Sequence, residues 1–165
     1  MAIDDVVIGA LPDEVTFLAA LLGAWYGSGH GGYPTMDDFD YGESMTFDHV
    51  GDAFLLYSQR SWLVSDGSPL HFERGFLRPG ASQDSVELTL AHPLGLTEVS
   101  EGTFVDGEMS LTSRHVGRTR TGMGVVSLNR RYRLDGDRLT YELEMQTDDV
   151  AMTSHLVGGL HRVVS

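Results

Sequence analysis

Residues 23–34 read GAWYGSGHGGYP, placing five glycines, a tryptophan and two tyrosines within twelve positions. Two architectures use such a stretch: a loop that cradles phosphate and a strand that must bend tightly. A phosphate loop needs Lys and then Ser or Thr after its second glycine, and no GK[ST] occurs anywhere in the chain. A dinucleotide fingerprint links a strand to a following helix, whereas here the helical pattern comes first. Gly23, Gly27, Gly29 and Gly31 share one face of an extended chain, leaving a bare edge along which a strand can curve while Trp25 packs across it. The stretch predicts the first strand of a barrel.

Upstream, Pro12, Asp13 and Glu14 open a segment in which Val15, Leu18, Ala19 and Leu22 fall at helical spacing, with Gly23 just past the last turn. One short N-terminal helix is expected there. Downstream, the chain divides into about ten runs at the spacing of sandwiches and barrels, near 24–32, 39–50, 54–63, 70–78, 85–92, 97–105, 108–116, 125–134, 138–146 and 155–164. Gly51-Asp52, Asp66-Gly67-Ser68, Asp106-Gly107 and Asp135-Gly136-Asp137 stand at the joints and supply residues that accept positive φ, so successive strands are antiparallel neighbours. Leu139, Tyr141, Leu143 and Met145 alternate with polar residues, as do Val86, Leu88 and Leu90, which marks strands with one buried and one wet face. A meander of this length removes its two open edges by closing. The fold class is therefore all-β, an up-and-down antiparallel barrel wide enough to hold an interior cavity.

At 165 residues the chain forms one domain, 1–165, with residues 1–12 expected as a loose tail. A formal charge of −13 with only eleven scattered basic residues argues against nucleic acid as a partner. No cysteine is present, which removes disulfides, thiolate metal sites and thiol catalysis. The amino terminus carries acids where a signal peptide needs bases, and no apolar run approaches the ~20 residues of a membrane span. A cytoplasmic protein without a membrane partner is expected.

The seven histidines are His30, His49, His71, His92, His115, His155 and His161, and none form HxH or HExxH, the local spacings of zinc sites. No GxSxG elbow accompanies them, and paired carboxylates carry little weight among 24 acids. On residue pattern alone the reading stops at a barrel with a cavity.

The opening stretch also resembles a known family. Gly23, Trp25, Gly27 and Gly29 match GxWxGxG, followed by Tyr33-Pro34-Thr35; Phe47-Asp48-His49-Val50-Gly51, Pro69-Leu70-His71-Phe72-Glu73, Leu90-Ala91-His92-Pro93 and the late His155-Leu156, Leu160 and Arg162 follow in order. Together these are similar to nitrobindins, haem-binding proteins related to the carboxy-terminal domain of THAP-type proteins, across residues 21–162. The resemblance implies a ten-stranded barrel of lipocalin or fatty-acid-binding-protein shape holding haem b, with His155 as the iron ligand and the residue on which catalysis depends. It implies Leu70 and His71 on the opposite side of the pocket, Thr35 near the haem edge, and peroxynitrite and nitric oxide as small-molecule ligands; a homodimer is a further expectation. The implied activity is peroxynitrite isomerase, with nitric oxide binding on ferrous haem. Where related chains often carry a lysine, this one reads Thr121-Gly122-Met123, so Met123 replaces a charged haem contact. His49, His92, His115 and His161 are assigned structural roles. Two alternatives stay open: a nitric oxide sensor or store without turnover, and an iron-free carrier of a fatty acid held by Arg130, whose parity matches Val126, Leu128 and Tyr132.

Overall fold

A computed structural model describes residues 9–164, so most of the expected N-terminal tail, residues 1–8, lies outside the described residues. A helix at Asp13–Leu21 precedes ten strands: β1 Gly23–Tyr33, β2 Met36–Asp48, β3 Leu55–Leu63, β4 Pro69–Pro79, β5 Ser85–His92, β6 Leu96–Val105, β7 Glu108–Arg118, β8 Val125–Asp135, β9 Arg138–Thr147 and β10 Thr153–Arg162. Each strand pairs antiparallel with its sequence neighbours, and β1 pairs with both β2 and β10, which closes the barrel. The joints behave as their chemistry demands: Gly51, Gly67, Gly107 and Gly136 all have positive φ, and Asp106 joins Gly107 in the left-handed region.

The helix is of the 3₁₀ type, tighter than its apolar spacing suggested. Val15, Leu18 and Leu21 are its buried residues, a period of three that matches three residues per turn, whereas Leu22 lies beyond its end. It covers one end of the barrel, with Leu18 and Leu21 in the core alongside Trp25, Met45 and Phe47. Trp25 Nε1 donates to the Leu21 carbonyl at 2.9 Å, and Arg162 on β10 stacks over the Trp25 ring at 4.2 Å while donating to the carbonyls of Ala20 and Leu22. One arginine thus satisfies the carbonyls that a helix end leaves orphaned.

Gly27, Gly29 and Gly31 share the inward face of β1 with the buried Trp25, and each has a neighbour too close to admit a side chain. A Cβ at Gly27 would overlap the Gly159 carbonyl, one at Gly29 the Tyr41 ring, and one at Gly31 the Phe39 ring. Bulky inward residues here would push β10 away or fill the interior.

Two apolar clusters fill the barrel. The larger, at the helix end, holds Trp25, Phe47, Tyr57, Leu88, Tyr132 and their neighbours; the smaller holds Tyr33, Leu96, Val125, Leu128, Leu143 and Met145 toward the open end. Along β8 the inward residues run Leu128, Arg130, Tyr132, so a charged layer divides the two clusters. Val126 does not share that face. A bulge between Val125 and Ser127 turns Val125 inward and leaves Val126 exposed.

Candidate functional site

The open end leads into a cavity of about 400 Å³, within the usual range for small-molecule sites. Its walls are mainly apolar. Met36, Leu70, Leu94 and Met123 line it and are all substantially exposed, so the mouth presents an apolar rim that an apolar plate would cover. Thr35, Leu70, His71, Met123 and His155, expected to surround a cofactor, all line this cavity.

His155 reaches the cavity because of a backbone irregularity. Thr153 and Ser154 pair with Met145 and Glu144 and Leu156 pairs with Leu143, so His155 is the extra residue of a bulge in β10. Its Nδ1 lies 3.0 Å from the Gly32 carbonyl, which accepts the N–H and assigns the proton to that nitrogen. Nε2 then carries the lone pair and makes no hydrogen bond among the described residues. Tyr33 and Phe39 stand edge-on to the imidazole, at centroid separations of 5.3 and 6.5 Å, and the Tyr33 hydroxyl is itself anchored on the Met145 carbonyl at 3.1 Å. Burial, more than the opposing bond to Gly32, pushes the His155 pKa below its ordinary value and favours the neutral ligand form.

A second bulge aims Leu70. Ser61 pairs with His71 and Trp62 with Pro69, so Leu70 is supernumerary on β4. His71, Glu73, Gly75 and Leu77 then take the inward face, while Phe72 and Phe76 point outward and are 41% and 47% exposed.

Beneath the apolar mouth sits a charged layer that no local motif announces. Arg130 donates through Nε and one terminal nitrogen to Glu98, at 3.0 and 2.8 Å, and through both terminal nitrogens to Glu73, at 2.7 and 2.9 Å. Its remaining N–H reaches the Tyr132 hydroxyl at 3.4 Å. All five donors are committed. Burial is the largest single influence and raises the pKa of both carboxyls, but the Arg130 guanidinium and the neighbouring histidines, His71 and His92, together outweigh it, holding Glu73 well below the usual range and Glu98 at about 2. Tyr57 donates to Glu73 Oε1 at 2.8 Å, and Ser100 to Glu98 Oε1 at 2.6 Å.

His92, assigned a structural role from sequence, belongs to this site. Its side chain is 5% exposed and lines the cavity, with Nδ1 3.2 Å from His71 Nε2 and 3.4 Å from Glu73 Oε2. The pattern was missed because its members meet across β4 and β5 rather than at HxH spacing. By contrast, His30 lies on the outer face against Asp40 at 2.9 Å, and His49, His115 and His161 do not line the cavity.

A further buried acid, Glu43 on β2, accepts from Gln59 at 2.6 Å and from Tyr141 at 2.9 Å through Oε2, while its Oε1 has no partner. Burial pushes its pKa up to about 7.

A neutral imidazole with a free Nε2, set in an apolar cavity beneath an apolar rim, fits the needs of a haem whose iron takes one histidine. Residues 14–162 match the family of THAP4-like, heme-binding beta-barrel domains. The chain belongs to this family, the nitrobindins. It is 45% identical over 157 residues to a peroxynitrite isomerase of Nocardia farcinica, the alignment covering 93% of each chain. With peroxynitrite isomerase 2 of Mycobacterium avium it shares 43% identity over 92% of this chain and 96% of that one. Among solved structures, the crystal structure of Rv2717c from M. tuberculosis superposes with a TM-score of 0.89 at 43% identity, covering 93% of this nitrobindin and 99% of that chain. Among the described residues of this family member, no helix is long and apolar enough to cross a membrane.

Proposed function

We propose that the chain binds haem b with His155 Nε2 as the axial ligand, isomerises peroxynitrite to nitrate with the iron ferric, and binds nitric oxide with it ferrous. The observation that carries this reading is the bulged His155, whose Nδ1–H is tied to Gly32 and whose Nε2 is left free in the cavity. Relatives named peroxynitrite isomerase, at 43–45% identity over nearly the whole chain, support the activity. The absence of cysteine leaves no thioether anchor, which favours a b-type haem held without covalent attachment.

When bound, ferric haem supplies the metal centre at which peroxynitrite rearranges to nitrate. The chain's own contribution is placement. Gly32 sets the tautomer and the plane of His155, Tyr33 and Phe39 confine the ring, and partial burial keeps it neutral. Leu70, Leu94 and Met123 keep the mouth of the cavity apolar, and His71 lines another wall, its Nε2 turned to Glu73 Oε2 at 3.3 Å. The fatty-acid reading loses its anchor because every donor of Arg130 is already taken by Glu73, Glu98 and Tyr132. A sensor or store would use the same residues and differs only in turnover.

The test is reconstitution with hemin. Wild type is expected to give a sharp haem absorption band that His155→Ala largely loses; an unchanged spectrum in the variant sinks the ligand assignment. Ferric protein is then expected to speed peroxynitrite decay with nitrate as product. Decay no faster than free hemin at matched iron leaves a binding role only.

A further inference from the structure

We infer that His71, Glu73 and His92 form a second metal site inside the barrel, one that takes a zinc-type divalent cation independently of His155. Three ligand atoms converge: His71 Nε2 and Glu73 Oε2 lie 3.3 Å apart, His92 Nδ1 and Glu73 Oε2 3.4 Å, and the two ring nitrogens 3.2 Å. A tetrahedral cation with bonds of ~2.05 Å sets its ligands ~3.3 Å apart, whereas one face of an octahedron at ~2.15 Å would need ~3.0 Å. The observed triangle matches the tetrahedral figure on every side. All three residues line the cavity, so a fourth position opens into it and is available to water or a small anion.

The surroundings are those of a supported site. His92 Nε2, buried without a hydrogen bond of its own, faces Glu98 Oε2 at 3.5 Å, the carboxylate–imidazole–metal arrangement that directs Nδ1 at a cation. Arg130 holds Glu73 through both its oxygens and fixes the carboxylate. Glu73 and Glu98 carry two negative charges against the single positive charge of Arg130, leaving one net negative charge that favours a cation. The three ligands stand on β4 and β5, paired strands that hold their positions without a loop rearrangement. His155 lies on β10 and contributes no atom to the cluster.

The experiment uses the full chain, haem-free and stripped with chelator, titrated with Zn²⁺ by calorimetry and with Co²⁺ by visible absorption. One Zn²⁺ per chain is expected, with Co²⁺ giving the intense visible bands of tetrahedral coordination. His92→Ala and His71→Ala are each expected to weaken Zn²⁺ about 100-fold or more, whereas His155→Ala stays within about threefold of wild type. His71, only partly buried, serves as the variant whose fold is checked by circular dichroism. Absence of saturable binding, binding unchanged in both cluster variants, or loss of binding in His155→Ala instead would each overturn the inference. The outcome is separable from the haem reading: hemin binding without zinc binding defeats this site alone, and zinc binding without hemin binding defeats only the role given to His155.

Discussion

Replacing Glu43 by Gln should abolish a specific pH dependence of stability. Glu43 is fully buried, and its pKa is raised from the ordinary 4.5 to about 7, chiefly by desolvation, with the Glu73 charge adding to it. Between those values the unfolded chain has released the Glu43 proton and the folded chain has kept it. The unfolded state then binds fewer protons, so stability falls as pH rises. Over the interval from 4.5 to about 7, at ~1.4 kcal/mol per pH unit, the loss is roughly 3 kcal/mol. The amide of Glu43→Gln keeps an oxygen for Gln59 and Tyr141 but places an NH₂ where Oε1 now has no partner, a pH-independent cost of about 1–3 kcal/mol. The slope is therefore the readout rather than the absolute stability. Urea unfolding of the haem-free protein from pH 4.5 to 7.5 should show wild type losing roughly 3 kcal/mol relative to the variant. Curves that stay parallel within about 1 kcal/mol would refute the claim that this carboxyl is neutral in the fold.

Arg130→Leu leaves Glu73 and Glu98 buried without a countercharge and should cost about 3–5 kcal/mol, a drop in Tm of roughly 10 °C by calorimetry; a Tm within 2–3 °C of wild type (about 1 kcal/mol) would show that the charges are solvated. Gly29→Ala, whose new Cβ would meet the Tyr41 ring and the Val157 carbonyl, should destabilise by more than about 2 kcal/mol, whereas Gly159→Ala, with its nearest neighbour 3.9 Å away, should change stability by less than about 1 kcal/mol. Equal effects in chemical denaturation would contradict the packing described for β1. Because burial lowers the His155 pKa, proton competition for its Nε2 should begin only below the ordinary value of 6.5, so hemin affinity should hold from pH 8 down to 6.5 and weaken beneath it; a midpoint above 6.5 in a spectroscopic pH titration would reverse that sign. Tyr33→Ala removes the ring edge-on to His155 and should broaden the haem band without abolishing it, with no spectral change counting against its confining role.

Much of the barrel was legible as local chemistry. Asp106-Gly107 and Asp135-Gly136 can scarcely be anything but tight hairpin joints, and the alternation in β9 names its inward face without reference to any other strand. The bare glycine edge of β1 was equally readable, because it is a property of the residues themselves, whereas its inward facing needed the structure. The family motif pointed at His155 on resemblance, but only the bulge in β10 explains how that side chain turns into the cavity: one extra residue reverses every side chain beyond it, and pairing alone reveals it. The same effect overruled parity for Val126, while on β4 the phenylalanines face out and a glutamate faces in, against any hydrophobic reading. His71 and His92 are 21 residues apart, and Arg130 and Glu73 are 57 apart. Strand periodicity is written in neighbours along the chain, whereas a charged layer inside a closed sheet depends on register and closure, and these exist only once all ten strands have met.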